Sequence, residues 1–186
     1  MKKIILLLAV ISLSMACGRV SEANFSKEKE CYTRYNIHTQ HRRGSYTANY
    51  SGWVGLGANR YVLPAGSKVK MLSSRKAFYV LDLSDNKVIT YQFHAANTGM
   101  STAEYIEAIT SETPVTFDTL SEADKKGIKE GKVSVGMTKA GVLATYGIPP
   151  KHRTSSTDLN EWRYWKSKFP TTLIYFDDSG KVTKIK

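Results

Sequence analysis

The sequence predicts an α+β protein, with a small β-rich domain followed by a domain of two helices and a three-stranded antiparallel sheet. Short aromatic and β-branched segments follow one another between Ser45 and Phe93, separated by turn residues, which is typical of a small barrel or sandwich. Two helical segments with defined ends lie between Ser121 and Tyr146. Three strand-like segments with turn residues between them then complete the chain, which favours an antiparallel sheet packed on the helices.

The β-rich domain is assigned to residues 44–115. Its predicted strands are segments 46–50, 69–71, 77–83 and 87–93. Their spacing is similar to that of SH3-like barrels. Ser101, followed by Glu104 three residues later, forms a capping box that predicts a short helix through about Thr110. Pro114 then breaks the chain, and we place the domain boundary near this residue.

The second domain is assigned to residues 119–186. Ser121 and Asp124 occupy capping positions at the start of its first helix. The three strands that follow the helices are predicted at 161–165, 171–176 and 181–186. In the last of them, Val182 and Ile185 have opposite parity, which predicts a bulge or an early end of the strand.

The second helix of this domain has specific signals at both ends. Thr138 is a good N-cap, and Met137 before it can pack on Val142 as a hydrophobic staple. Gly147 supplies the left-handed residue that ends the helix. A helix of two turns is too short to persist alone, so we expect it to be packed against the sheet.

Five short motifs of this domain share a characteristic order and spacing. They are Gly136-Met137-Thr138, Val142, Gly147-x-Pro149, Trp162-x-Tyr164 and Phe176-Asp177-x-x-Gly180-x-Val182. The set resembles the SmpA/OmlA (BamE-like) domain family of bacterial outer-membrane lipoproteins. The resemblance implies a helix–helix–three-strand fold and a non-catalytic role in the envelope, near the machinery that inserts outer-membrane β-barrels. Secreted inhibitors of β-lactamases share that fold. The chain departs from the type member in carrying the β-rich domain ahead of the match.

Residues 1–16 are predicted to be a secretion signal. Two lysines, an almost unbroken apolar segment at 4–13 and small residues before Cys17 follow the order of such a signal. The apolar segment is about half of the roughly twenty residues needed to span a bilayer. The residues ending at Cys17 resemble a bacterial lipobox, in which the cysteine is acylated. Ser14 stands where the lipobox normally has Leu, and Ser14-x-Ala16 would also suit ordinary signal peptidase.

We therefore expect a lipid-anchored protein at the outer membrane, facing the periplasm, with a soluble periplasmic protein as the alternative. By resemblance to bacterial lipoproteins, the neutral Gly18 favours outer-membrane sorting. Residues 17–43 are interpreted as a tether and lead-in to the folded part, because their first half is polar and without periodicity. Cys31 is an unpaired thiol if Cys17 is acylated, and a disulfide partner if it is not. We favour the interpretation of Cys31 as a partly buried, small hydrophobic residue.

The net charge of +11 is consistent with an acidic partner, and also with a role in solubility alone, since the lysines are scattered rather than clustered. For an exported protein we expect anionic lipid head groups or an acidic protein face rather than nucleic acid. One strand and its exit loop combine aromatic and basic residues that suit such a partner. These candidate binding residues are Trp162, Arg163, Trp165, Lys166 and Lys168. Because strand residues alternate, either Trp162 and Tyr164 or Trp165 must point away from the core.

Catalytic chemistry is not indicated by the sequence. His38-x-x-His41 is half of a metal motif, but the other histidines lack ligand spacing. Asp177 and Asp178 are interpreted as turn residues, and no motif marks Cys31 as a nucleophile. We expect a non-catalytic envelope lipoprotein without cofactors, acting as a binding or scaffold module in outer-membrane assembly or maintenance. The alternatives are a secreted enzyme inhibitor and a cell-wall-binding protein that acts through its β-rich domain.

Overall fold

The computed structural model describes residues 27–55, 57–73 and 78–186, which form two β-sheets and four short helices. The strands are β1 (Lys27–Thr33), β2 (Ile37–Arg42), β3 (Ser45–Asn49), β4 (Arg60–Leu63), β5 (Lys68–Ser73), β6 (Phe78–Asp82), β7 (Val88–Gln92), β8 (Thr110–Ser111), β9 (Glu161–Trp165), β10 (Thr171–Phe176) and β11 (Val182–Ile185). The helices are α1 (Ala95–Thr98), α2 (Thr102–Ile109), α3 (Glu122–Glu130) and α4 (Lys139–Tyr146). Within these ranges, no helix has the length and apolar character required to cross a lipid bilayer.

The first sheet contains eight strands in the order β4-β2-β3-β7-β6-β5-β1-β8. Neighbouring strands within this sheet are antiparallel, except that β3 and β7 run parallel to each other. The sheet curls, since β4 and β6 are separated by three strands yet meet in space. The Tyr61 hydroxyl on β4 donates to Oδ2 of Asp82 on β6 over 2.8 Å. The second sheet has the antiparallel order β11-β10-β9.

The predicted α+β fold class, an SH3-like domain followed by a BamE-like helix–helix–three-strand domain, is wrong. The protein is mostly β, with an eight-stranded curled sheet and a second three-stranded sheet, and its described helices have only four to nine residues. The C-terminal segments also bond directly to the first sheet. The backbone N–H of Asn36 donates to the carbonyl of Ala144 over 2.8 Å. The prediction assumed that the helices form a layer of their own, whereas the structure consists mainly of paired strands.

Several local predictions are confirmed at residue level. Helix α2 begins with the predicted capping box, in which Ser101 and Glu104 bond reciprocally. The bulge predicted in the last strand lies at Thr183, which the register skips between the pairs Tyr175–Lys184 and Phe176–Val182. Strands β3, β6 and β7 lie in segments that the aromatic and β-branched pattern predicted. Local chemistry therefore determined many element ends correctly even though the fold class was misjudged.

Two strands of the first sheet lie where a tether and lead-in were predicted. Strand β1 occupies Lys27–Thr33 and pairs with both β5 and β8. Strand β2 occupies Ile37–Arg42 and pairs with β3 and β4. The part of the 17–43 segment from Lys27 onward is thus integral to the sheet.

Two apolar clusters form the core. In the first, the rings of Phe78 and Tyr91 stack at 4.5 Å between centroids, and the hydroxyls of Tyr91 and Tyr105 lie 3.1 Å apart. The second cluster packs helices α3 and α4 on the second sheet, with Trp162 and Tyr164 fully buried at its centre. Each aromatic side chain of this kind buries a large apolar surface, so these rings contribute strongly to stability.

Cys31 is a core residue, which agrees with its interpretation as a small hydrophobic residue, although it is more deeply buried than the partial burial that was predicted. Its side chain is 1 % exposed, and burial raises the pKa of its thiol. In a Cys17→Ser variant we expect the Cys31 thiol to react with a disulfide reagent about a thousandfold more slowly in native buffer than in urea, because reaction requires the sheet to open. Absorbance of the released thiolate measures both rates. Equal rates in the two conditions would show that β1 does not protect the thiol.

Candidate binding site

The two sheets are joined by the segment that follows β3. From residue 50 onward the chain leaves the first sheet and runs along β9, the edge strand of the second. The N–H of Trp165 donates to the carbonyl of Ser51 (3.3 Å), and the N–H of Val54 donates back to the carbonyl of Trp165 (2.8 Å). The N–H of Gly55 donates to the carbonyl of Lys166 over 3.0 Å. Residues 51–55 therefore cover an edge that would otherwise carry unpaired backbone groups.

A compact turn positions the first residues of this segment. Oδ1 of Asn49 accepts from the N–H (2.9 Å) and the hydroxyl (2.6 Å) of Ser51, while its Nδ2 donates to Oε1 of Gln92 (2.9 Å). Trp53 then adopts a φ of +47°, a region that bulky L-residues rarely occupy. Strain of this kind persists only where the surroundings impose it, and it concentrates at functional sites.

A cavity of about 260 Å³ opens at this junction, and we call it the junction pocket. It is lined by Asn49, Tyr50, Ser51, Trp53, His94, Asn97, His152, Trp165 and Lys168. These side chains come from the end of β3 and the segment that follows it, from α1 and the residue before it, from the loop after α4, and from the β9–β10 hairpin. Five of the nine carry aromatic rings, which is a high proportion for a surface depression.

The rings of the pocket form a connected wall. The centroid of Tyr50 lies 5.6 Å from that of His94 and 6.2 Å from that of His152. The ring centroids of His152 and Trp165 in turn lie 5.3 Å apart. Nδ2 of Asn97 donates to the Tyr50 hydroxyl over 2.7 Å, which fixes the orientation of that ring. The wall is held in place by neighbouring side chains before any ligand arrives.

The charge of the pocket is positive. Lys168 contributes to its lining, and the guanidinium carbon of Arg153 lies 5.9 Å from the ring centroid of Trp165. Among the described residues that line the pocket, none is acidic. Flat rings suit the apolar face of a cyclic ligand, and imidazole, amide and ammonium groups suit its hydroxyl or carboxylate groups. The arrangement is therefore suited to binding a polar, ring-containing ligand that carries negative charge.

The structure separates the five residues that the sequence grouped as a binding site. Trp165 and Lys168 line the junction pocket. Trp162 is fully buried against Phe176, with ring centroids 4.7 Å apart, so it serves the core. Arg163 is half-buried on the outer face of β9 and does not line the junction pocket.

Lys166 belongs to a second depression of about 660 Å³. We call it the basic groove, and it includes Arg60, Lys132 and Lys166 around Val54, Val133 and Ile185. Of the two orientations that the sequence left open for β9, the structure has Trp162 and Tyr164 inside and Trp165 outside.

Most of the junction pocket could not be recognised in the sequence. Tyr50, Trp53, His94, Asn97 and His152 are spread over about a hundred residues and share no motif. The spacing of the two histidines suits no metal and gives no other signal. The sequence signal that pointed to the pocket is the combination of aromatic and basic residues around β9, where alternation places Trp165 on the face opposite Trp162 and Tyr164.

The other sequence candidates have structural roles or lie outside the described residues. His38 is buried and His41 stacks on Tyr46 at 4.5 Å, so they do not converge, and the described residues contain no group of three metal-ligating side chains. Oδ1 of Asp177 accepts bonds from the backbone N–H groups of Ser179 and Lys181 (both 2.9 Å), as expected of a turn residue. The predicted signal and the acylation point Cys17 precede the first described residue.

No protein-family model, curated protein or solved structure matches this chain. The resemblance to the SmpA/OmlA family therefore has no support beyond the motif residues that suggested it.

Proposed function

We propose that this protein is an exported, non-catalytic binding protein of the cell envelope, and that its junction pocket binds an acidic saccharide. The observation that carries the proposal is the aromatic wall of Tyr50, His152 and Trp165 beside Lys168. The type of ligand follows from the chemistry of these side chains. The predicted export signal implies that the ligand is a component of the cell envelope.

The aromatic rings support a sugar rather than an extended aliphatic ligand. A pyranose ring has one face of C–H groups that stacks on flat aromatic surfaces, while its hydroxyl groups point to the sides. The outward face of Trp165 and the ring of Tyr50 provide such surfaces. His94 and His152 belong to the same wall, and their imidazole nitrogens can donate hydrogen bonds to sugar hydroxyl groups or accept them.

Size and charge limit the ligand further. The volume of about 260 Å³ is slightly below the roughly 300 Å³ at which drug-sized pockets begin, so the pocket would hold one ring and part of a second. The rest of an oligosaccharide would lie outside it. Lys168, together with Arg153 beside Trp165, favours a sugar that carries a carboxylate. Wall glycan freed of its peptides, whose repeating unit includes a sugar with a free lactyl carboxylate, has this chemistry.

The envelope location rests on the predicted signal and on Cys17. We propose that this cysteine carries a lipid that holds the protein at the outer membrane, facing the periplasm. Mass spectrometry of the mature N-terminus tests this directly. A diacylglyceryl group on Cys17 is expected, whereas a mature chain that begins beyond Cys17, or that retains it unmodified, would contradict lipid anchoring.

The saccharide proposal is tested with peptide-free oligosaccharides of N-acetylglucosamine and N-acetylmuramic acid. Calorimetric titration should show saturable binding, and an uncharged N-acetylglucosamine oligomer of equal length should bind more weakly. Trp165→Ala should weaken binding about thirtyfold, the loss typical of an aromatic anchor at the centre of a site. Tyr175→Ala is the matched control, because Tyr175 is a half-buried aromatic residue on the same sheet and does not line the pocket.

Two results would argue against this function. Equal affinity of wild type and Trp165→Ala, with both variants folded by circular dichroism, would exclude the junction pocket as the binding site. Shortening of the oligosaccharide during incubation, detected by chromatography, would show that the protein is catalytic.

A further inference from the structure

The β9–β10 hairpin end, residues Lys166–Pro170, carries an isolated exposed aromatic side chain. Phe169 is 79 % exposed, the largest fraction among the exposed large hydrophobic residues of the described chain. The ammonium nitrogen of Lys168 lies 5.3 Å from the centroid of the Phe169 ring. A phenylalanine side chain that stays in water lacks the stabilisation of about 1.5–3 kcal/mol that full burial would provide. The residue therefore contributes little to the fold and is available to a partner.

Basic side chains surround this tip on both sides. Lys168 lies at the junction pocket and Lys166 at the basic groove, and both are exposed. Neither lysine forms an ion pair with another described residue. Arg60 and Lys132 extend the positive charge across the basic groove. Among described residues, no acidic side chain lines either depression, so the hairpin end has a one-signed electrostatic surface.

The base of the hairpin end is held by backbone hydrogen bonds. The N–H of Lys166 donates to the carbonyl of Pro170 over 2.7 Å. The carbonyl of Lys166 accepts from the N–H of Gly55 and from Nη2 of Arg60, both at 3.0 Å. Phe169 is thus presented on a loop whose ends are fixed to the second sheet and to the segment that joins the two sheets.

We infer that the hairpin end docks on the surface of an anionic lipid bilayer. Phe169 enters the boundary between head groups and acyl chains, while Lys166, Lys168 and the cations of the basic groove contact anionic head groups. The shape of the tip favours a bilayer over an acidic protein. A single projecting aromatic residue penetrates a soft interface, whereas protein interfaces are built from contiguous, closely packed patches. The inference shares Lys168 with the saccharide proposal, but Phe169 does not line the junction pocket and therefore separates the two.

The experiment measures co-sedimentation with lipid vesicles. The full chain carries Cys17→Ser, which removes the acylation point, and is mixed with phosphatidylcholine vesicles prepared with or without phosphatidylglycerol. Binding is expected to the anionic vesicles alone and to weaken as salt is added. Lys166→Gln with Lys168→Gln should lower the partition coefficient about 25-fold, since each lysine near an anionic surface contributes about fivefold. Phe169→Ser should lower it about tenfold.

Matched controls separate a docking site from net charge and general hydrophobicity. Lys126→Gln with Lys129→Gln removes the same charge from exposed positions on α3, and Val135→Ser removes an apolar side chain that is 62 % exposed elsewhere. Both controls should change the partition coefficient less than about twofold. Saccharide binding by Phe169→Ser should equal that of the wild type, so failure of one proposal is distinguishable from failure of the other.

Three outcomes would overturn the inference. The first is no sedimentation with anionic vesicles. The second is an equal loss of binding in the two lysine pairs, which would indicate a non-specific effect of net charge. The third is Phe169-dependent binding to soluble polyglutamate without binding to vesicles, which would identify an acidic protein as the partner.

Discussion

Replacing Asp124 with alanine is expected to lower the free energy of unfolding by about 4 kcal/mol, because this residue connects the starts of two helices. Its side chain is fully buried. Oδ2 accepts from the Ser121 hydroxyl (2.7 Å) and N–H (3.2 Å) at the start of α3. Oδ1 accepts from the Thr138 N–H (2.7 Å), and Oδ2 also accepts from the Thr138 hydroxyl (3.0 Å), at the start of α4. Alanine removes the acceptor that is shared by these four donors, which lie on the exposed Ser121 and the half-buried Thr138.

Urea denaturation followed by tryptophan fluorescence measures this loss. With a slope of about 2 kcal/mol per molar urea, the midpoint should fall by about 2 M. Asp124→Asn should also destabilise the protein, by about 2 kcal/mol, because one oxygen becomes a donor that faces other donors. Asp178→Ala removes an exposed carboxyl group from the β10–β11 turn and should leave the midpoint nearly unchanged. A midpoint for Asp124→Ala within about 0.5 M of wild type would disprove the bridging role.

Close packing around Asp124 explains why a longer acid should not replace it. A Cβ built at Gly141 would overlap the Asp124 carboxyl group, so helix α4 approaches this side chain as closely as a residue without a side chain permits. Glutamate would need space that α4 occupies. The two N-caps were each predictable from sequence, since Ser121 and Thr138 precede helical segments. That one carboxyl group serves both caps was not predictable, because fourteen residues and a loop separate Asp124 from Thr138.

The failure to predict β1 has an electrostatic explanation. The segment that includes Glu28 and Glu30 alternates charges and looks like a solvated tether. In the sheet, Glu28 pairs with Lys70 and Glu30 with Lys68, both at 3.0 Å, across the β1–β5 ladder. The charged face of β1 is satisfied by charges on β5, a segment about forty residues later in the chain, while Cys31 faces the core. Local polarity alone therefore misrepresented the strand.

The candidate site was less predictable than the secondary structure, for a related reason. Alternation places Trp165 on the face of β9 opposite Trp162 and Tyr164, but it does not decide which of the two faces points outward. Tyr50 and His152, the partners of Trp165, come from segments that only the pairing of residues 51–55 with β9 brings together. Sequence spacing carries information about neighbours on one helix or strand, and it carries none about a pocket formed where two sheets meet.

Acidification is expected to destabilise the protein through His38. This side chain is 4 % exposed, and its Nε2 lies 2.8 Å from the carbonyl oxygen of Thr145 on α4, to which the neutral ring donates. Burial is the main reason that its pKa falls from 6.5 to about 4. The bond to Thr145 acts in the opposite direction, and the charge of Arg60 adds to the depression. His38 thus fixes β2 to α4 as an uncharged group.

The pH window follows from the two pKa values. In the unfolded chain His38 binds a proton below about pH 6.5, whereas in the folded chain it does so only near pH 4. Since the unfolded state binds more protons in that interval, stability falls as the pH is lowered through it. The full difference corresponds to about 3 kcal/mol below pH 4. Above pH 6.5 both states are neutral at this residue, so His38 causes no pH dependence there.

The His38→Gln variant isolates this contribution, because glutamine can donate to the Thr145 carbonyl and carries no charge at any pH. Several carboxyl groups, among them Asp82, also have lowered pKa values and would contribute their own loss of stability at low pH in both proteins. The informative quantity is therefore the difference between the free energies of unfolding of wild type and variant, measured by urea denaturation from pH 8 to pH 4. This difference should be constant above about pH 7 and shift against the wild type by about 3 kcal/mol as the pH approaches 4. A difference that stays constant over the whole range would mean that His38 is accessible to protons in the folded protein, and that the contact between β2 and α4 is looser than the structure indicates.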